Sequence, residues 1–322
     1  MKELNISVII PVFNAEKFVI EAVESAVSLS EVTEILLIED GSPDKALDVC
    51  LDLTEKYNKV KLFQHPNGEN RGAGISRNLG IEKAKCDWVA FLDADDFYLP
   101  DRFIHAKNIL RRGGDVDGVY EAAGTSFVNE EARNHWESIK FKVSGNLNTL
   151  TTVTELVSPN DLFYKIMPFG SAGYFSLNGL LIKKSALLSV GCFPNLRMFQ
   201  DTVLISKLVA KYKLLPGSIE KPIAMRRVHS DNRINSFKNV EKKPFFNSYP
   251  SIGFKNRMLM WLEIWKWGKK NFSKSQRKHF KGRFIKFLLI PFTNRKREGF
   301  FYPIESLTQV IWYIWYANLG KK

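Results

Sequence analysis

Cysteine is scarce in this chain: three in 322 residues, at positions 50, 86 and 192. An odd, widely spaced set excludes a disulfide-framed scaffold and a cysteine-based zinc site, and it suits a reducing compartment. Long apolar runs are missing too, since no stretch of roughly 18 residues is both charge-free and apolar enough to cross a bilayer. The first residues lack a basic segment followed by an apolar stretch and a small-residue cleavage site, so no secretory leader is expected. The cytoplasm is the expected address. Nucleotide-binding loops of two common kinds are also absent: there is neither a G-x-G-x-x-G fingerprint nor a P-loop ending in Gly-Lys-Ser/Thr.

Acidic residues run short only at one end. Residues 238–322 hold 19 Lys and Arg against 4 Asp and Glu, a net of +15, whereas the first 237 residues carry 28 against 30. The chain's excess of +13 therefore belongs to its tail. A uniformly basic nucleic-acid binder would look different, and no recognised binding motif accompanies the charge, so nucleic acid is not an expected partner. With 45% hydrophobic and 25% charged residues, the composition is that of an ordinary globular protein with a sizeable core.

What is present begins with Ile6-Ser7-Val8-Ile9-Ile10, apolar on both faces and stopping at Pro11, the pattern of a buried parallel strand. Asn14 is placed to cap a following helix on which Phe18, Ala22, Val23 and Ala26 recur at helical spacing. Further strands are expected at 34–38, 60–63 and 88–92, with helices at about 44–57, within 70–83 and at 201–211. Strand and helix alternate through the first half, which predicts a mainly parallel sheet with helices on both faces. The stretch from Gly113 to Gly191 is weakly patterned and reads as mixed strands and loops. A composition shift places a boundary near Ser236.

Polar clusters fall just after the strands, where ligands of open α/β sheets bind. Asp93-Ala94-Asp95, with Asp96 beside it, crowds carboxylates that repel one another unless a cation neutralises them. Oxygen-only ligands suit Mg²⁺ or Mn²⁺. The competing reading, a cap for the next helix, is better served by Asp101. The second cluster, Glu39-Asp40-Gly41-Ser42, offers a carboxylate to the imide N–H of a uracil ring beside Pro11-Val12-Phe13-Asn14, although a plain turn has the same look. Third, the glycine-containing run Gly68–Gly80 presents Arg71 or Arg77 and backbone amides to a pyrophosphate, or is simply a flexible helix entry.

Four ordered stretches, Ser7–Asn14, Glu39–Ser42, Arg77-Asn78-Leu79-Gly80 and Asp93–Asp96, together resemble glycosyltransferase family 2. The resemblance is close over the first third of the chain and looser to about Ser236. It implies a GT-A-type α/β sheet flanked by helices, an inverting transfer, and a DxD metal motif of Asp93 and Asp95 with Asp95 the direct ligand. By the same resemblance Asp40 contacts the nucleotide base, and Pro11, Phe13, Asn14, Arg71, Arg77, Asp93 and Ala94 bind the nucleotide-sugar. The family's catalytic base sits at an Asp-bearing helix start, matched here by Gln200-Asp201-Thr202, so Asp201 is the expected base. Gln200 departs from the acid usual at its position. Arg226-Arg227-Val228-His229 resembles a loop that offers a His, here His229, to the metal or diphosphate.

The expectation for the whole is thus an inverting, metal-dependent hexosyl- or N-acetylhexosaminyl-transferase using Mg²⁺ or Mn²⁺. Its donor is a nucleotide-sugar, UDP-linked by resemblance, and its acceptor a glycan or lipid-linked glycan of the cell surface. The alternatives are a non-catalytic scaffold subunit and a nucleotidyltransferase, the latter disfavoured because no glycine-rich basic loop follows the first strand. Residues 1–236 form the expected catalytic domain, and residues 237–322 a basic, aromatic-rich, mainly helical extension.

Five of the seven Trp lie in that extension. Met258, Trp261, Leu262 and Trp265 share one helical face, and Phe284–Ile290 is a further apolar run followed by Arg295-Lys296-Arg297. Aromatic and basic residues on amphipathic helices suit an anionic membrane surface, so a peripheral position at the inner face of the cell membrane is expected; packing on the catalytic domain is the competing reading.

Overall fold

The computed structural model describes residues 3–144, 149–229, 232 and 252–293. In chain order the elements that position the site begin with β1 (Ile6–Val12), α1 (Val19–Val27), β2 (Val32–Glu39), α2 (Ala46–Lys56), β3 (Val60–Gln64), α3 (Ala73–Lys83) and β4 (Trp88–Phe91). There follow β5 (Phe97–Tyr98), α4 (Ile104–Arg111), β6 (Gly118–Tyr120), β7 (Ala123–Phe127), α5 (Glu130–Ser144) and α6 (Leu162–Lys165). The last described elements are β8 (Leu180–Lys183), α7 (Lys184–Ser189), α8 (Gln200–Lys211), β9 (Leu214–Pro216), β10 (Ala224–Val228), α9 (Ile252–Asn271) and α10 (Lys274–Thr293).

Seven strands form the main sheet in the order β3-β2-β1-β4-β8-β6-β9. The first four are parallel, β8 runs antiparallel to both its neighbours, and β9 is parallel to β6. A small second sheet, β5-β10-β7, lies beyond it. The first half therefore has the expected α/β architecture. The weakly patterned middle holds strands and loops as expected, plus the helices α5, α6 and α7, of which α5 is the longest and is not announced by its composition.

Strand β1 runs through Pro11 instead of stopping there, and the ladder explains why. On the β4 side β1 is paired only from Ile6 to Ile9, whereas Pro11 is in register with Ile38 on β2. The N–H that proline lacks falls past the end of the β4 pairing.

Alternate residues of the strands feed opposite cores. Val8, Ile10, Ile35 and Leu37 pack beneath α1 and α2, where Val19, Ala22, Val23 and Ala26 are buried as their spacing predicts. Ile9, Leu36, Ile38 and Phe91 face the other way, into a core shared with α8 and the C-terminal helices. Each such side chain contributes about 1.5–3 kcal/mol on full burial.

Two expected helix caps are not formed. Helix α1 begins at Val19 after Phe18, and Asn14 instead adopts a left-handed φ of +53° with its amide donating to Ser42 Oγ at 3.2 Å. Asn tolerates that conformation, so the residue makes a turn that joins the β1 and β2 loops. Asp101 likewise caps nothing with its side chain: α4 starts at Ile104 and the turn is closed by the Asp101 carbonyl.

The tail departs most from expectation. Met258, Trp261 and Leu262 are buried, with Trp265 packed against the same core, facing α8 and Phe169 and not a solvent-side surface. Trp261 contacts the rings of Phe280, Phe284 and Phe287 on α10. Helix α8 is consequently buried on nearly all sides from Val203 to Val209, more than the single apolar side its sequence suggests. The boundary near Ser236, Arg295-Lys296-Arg297, Trp312 and Trp315 lie outside the described residues.

Candidate active site

The carboxyl ends of β1, β2 and β4 come side by side, and the acidic loop after β4 is their centre. Asp93, Asp95 and Asp96 each bring an oxygen to within 4.8 Å of the others. Burial, joined by the negative charges of Asp95 and Asp93, pushes the Asp96 carboxyl well above the ordinary carboxylate range. Such mutual repulsion is what a divalent cation relieves, and an all-oxygen set suits Mg²⁺ or Mn²⁺.

Each acid has its own partners. Asp93 Oδ1 pairs with the guanidinium of Arg77 at 2.5 Å, and its amide donates to Asn178 Oδ1 at 3.2 Å. Asp95 Oδ2 lies 3.2 Å from His229 Nε2 and accepts from Asn232 Nδ2 at 3.0 Å. Asp96 accepts from Asn178 Nδ2 at 2.5 Å and from the Arg227 amide at 2.8 Å. Ala94, between the first two acids, is buried. The His229 ring also packs against Phe18, with centroids 4.6 Å apart. The sequence-predicted residues Arg77, Asp93, Asp95 and His229 thus meet directly.

Asp40 stands at the end of β2 but faces inward. It is 2% exposed, and its two carboxylate oxygens accept the amides of Arg71 at 2.7 Å and Gly72 at 2.9 Å. The carbonyl of Asp40 takes Asn70 Nδ2 at 2.8 Å. Its observed work is to hold the loop that leads into α3. Gly41 permits this closeness: its φ is +68°, and a Cβ there would come within 2.5 Å of the Gly68 carbonyl. Next door, burial disfavours the charge on Glu39, but hydrogen bonds from Ser42, Gln64 and Gly41 outweigh it and hold the carboxyl below its ordinary range.

The rim is made of exposed or half-buried groups. Phe13 and Asn14 are exposed, Pro11 is half-buried, and the Arg71 side chain reaches solvent while its amide serves Asp40. Arg77 is different: buried on α3, it lies over the Phe193 ring at 5.6 Å while gripping Asp93.

Asp201 opens α8, exposed, with Oδ1 accepting the Thr202 amide at 2.8 Å. The preceding Phe199 is held at a left-handed φ of +62°, a rare conformation for a bulky residue and a mark of an imposed geometry. This helix start is fastened to α3. Gln200 lies so close over Gly74 that any Cβ at position 74 would collide with it, and Asn78 exchanges two 2.9 Å hydrogen bonds with the backbone of Phe193. The start of α8 is thus tied to α3, the helix that also carries Arg77.

Asn178 and Asn232 complete the site without being singled out by the sequence, as do Arg227 and Phe18, which the sequence marks only as a neighbour of His229 and as part of a helical face. For Asn178 the one available signal is a lone amide in the apolar run Leu177-Asn178-Gly179-Leu180-Leu181, where a buried amide needs partners.

The sequence model described as Glycosyl transferase family 2 matches residues 7–166, the span that holds β1, β2, the acidic loop and Asp40. This segment belongs to glycosyl transferase family 2. An uncharacterized glycosyltransferase of Haemophilus influenzae is 39% identical over 106 residues, 33% of this chain and 42% of that protein. The Bacillus subtilis minor teichoic acid biosynthesis protein GgaB is 25% identical over 246 residues, 75% of this chain and 25% of GgaB. The chain thus spans less than half the length of either relative. Among solved structures, S. aureus TarS 1-349 in complex with UDP-GlcNAc superposes with a TM-score of 0.61 at 18% identity, covering 96% of this chain and 79% of that one. The shared fold is the GT-A-type sheet that the family 2 resemblance implies.

Proposed function

We propose that this chain is an inverting glycosyltransferase that moves a sugar from a nucleoside-diphosphate donor, UDP-linked, to a hydroxyl of a cell-surface glycan or lipid-linked glycan. The observation that carries the reading is the convergence of Asp93, Asp95 and His229 beside the buried Arg77, at the carboxyl ends of parallel strands. The names of relatives add to it: one neighbour was solved with UDP-GlcNAc, and one relative serves teichoic acid biosynthesis.

In this reading Asp93 and Asp95, aided by His229, hold Mg²⁺ or Mn²⁺, which when bound offsets negative charge on the donor's diphosphate. Pro11, Phe13 and Asn14 line the base, and Asp40 acts on it by shaping the loop of Arg71 and Gly72. Arg77 keeps Asp93 aimed. Asp201 accepts the acceptor hydroxyl's proton as that oxygen bonds to the anomeric carbon. The bond from that carbon to the diphosphate breaks in the same displacement, its electrons leave with the diphosphate, and the configuration inverts. Residues 1–236 form the catalytic unit in this proposal, and the basic extension sits against an anionic membrane surface.

Incubation with a panel of nucleotide-sugars and an acceptor mixture, with Mn²⁺ or with chelator, tests the proposal by mass spectrometry. Expected is cation-dependent release of nucleoside diphosphate with a matching gain of one sugar on the acceptor. Pyrophosphate as product points to nucleotidyl transfer, and donor binding without turnover points to a scaffold; either result overturns the proposal.

A further inference from the structure

The three acids of the loop are close to one another, but their hydrogen bonds divide them. Asp96 is 3% exposed, and each of its oxygens accepts from a different element: Asn178 Nδ2 from the turn before β8, and the Arg227 amide from β10. Both donors are themselves anchored. The Arg227 guanidinium pairs with Glu21 at 2.6 Å and lies 5.2 Å from the rings of both Phe18 and Phe97. Asn178 is buried, and its Oδ1 takes the Asp93 amide, so one side chain touches the first and last acids of the loop. The Asp96 amide closes the turn on the Asp93 carbonyl at 3.0 Å.

We propose that Asp96 and Asn178 are positioning residues, a two-sided clasp that aims Asp93 and Asp95, and that Asp96 is not itself a cation ligand. The Arg227 amide that Asp96 holds lies two residues before His229, so the clasp also fixes the strand that delivers His229 to Asp95. The inference rests on the reading of Asp93 and Asp95 as the cation's ligands.

The bond polarity supplies a specific test. In Asp96→Asn, an amide must face two donors with a single oxygen, and one bond is lost. In Asn178→Asp, two acceptor-only carboxylates face each other. Combining the two substitutions lets every bond return. The amide oxygen then at position 96 accepts from Arg227, and its nitrogen donates to the carboxylate then at position 178, whose other oxygen takes the Asp93 amide. The carboxylate has merely changed sides.

Thermal unfolding and Mn²⁺ titration followed by electron paramagnetic resonance with UDP present are measured on the full chain. Each single substitution is expected to lower Tm and weaken Mn²⁺ binding by about 10–100-fold, the usual effect of disturbing groups that orient ligands. The double variant is expected to regain most of the Tm and to bind Mn²⁺ within a few-fold of wild type. Restored Tm with Mn²⁺ binding still as weak as in D96N makes Asp96 a ligand and overturns the proposal. Additive loss of Tm in the double variant overturns the clasp. A wild-type protein that binds no Mn²⁺ refutes the metal reading, while the Tm cycle still decides the clasp.

Discussion

At the scale of single residues, charge and amide do different jobs around the acidic loop. Arg77 is buried with its charge directed at Asp93, so Arg77→Ala should raise the donor KM by about 10-fold or more through a misplaced acid, a loss of the size expected for a charge-assisted hydrogen bond. Steady-state kinetics at saturating cation check this; an unchanged KM contradicts it. Asp201→Asn should lower kcat by about 10²–10⁴-fold while leaving donor affinity near wild type, as the loss of a general base does. Retained kcat removes Asp201 from the proposed chemistry. The sequence makes the acids legible because several carboxylates in a row have no cheap structural explanation. Asn178 is not legible, because Leu-Asn-Gly also describes an ordinary turn and the amide's two partners lie 82 and 85 residues away. Asn14 misleads for a related reason: the residue that caps helices also tolerates positive φ, and contact with Ser42 decides between the two.

Elements show where packing overrides local pattern. The spacing of Met258, Trp261, Leu262 and Trp265 correctly gives an apolar face, but periodicity cannot say what covers it. In the structure, α8, Phe169 and α10 do. Trp261→Ala should therefore cost about 3–5 kcal/mol of stability, the usual penalty for emptying a buried aromatic site. A fall in Tm measures it, and a neutral effect contradicts the packing. Strand β2 carries a second prediction. Burial works against the charge on Glu34 and on Glu39 at the strand's other end, but hydrogen bonds outweigh it and both titrate below the ordinary value of 4.5. For Glu34 those bonds come from Ser7, Lys61 and the Lys85 amide. Groups depressed in the fold add stability that is present above the unfolded pKa and lost as pH falls through the folded one. Stability should hold above about pH 5 and decline below it, and E34Q should flatten that decline in urea titrations across pH. An E34Q profile that keeps the full acid slope contradicts this role.

For the whole molecule, the charge asymmetry outlasts the inward packing of the aromatics on α9 and α10. Residues 264–297 contain 12 Lys and Arg and no acid, and with the apolar side of α9 and α10 turned inward, Lys274, Lys278, Lys281 and Lys286 are exposed on α10. No described helix is long and apolar enough to cross a membrane. Along α9 and α10 the proposed membrane contact thus reduces to electrostatics. Replacing those four lysines with Glu should abolish co-sedimentation with anionic vesicles and leave Tm nearly unchanged, and raised salt should weaken wild-type binding. Vesicle binding that survives the replacement contradicts it. Charge reversal is preferable to truncation, which would strip Trp261 and Phe280 from the core they share with α8.

The central claim is that Asp93 and Asp95, after β4, with His229 after β10, hold a divalent cation against a sugar-bearing diphosphate. Calorimetric titration of UDP into wild type and Asp95→Ala, each with and without Mn²⁺, tests it most directly. Wild type should bind UDP far more tightly with Mn²⁺ than without, and the variant should lose that difference while keeping its Tm. UDP affinity that is the same in both proteins, with or without the ion, would contradict the account.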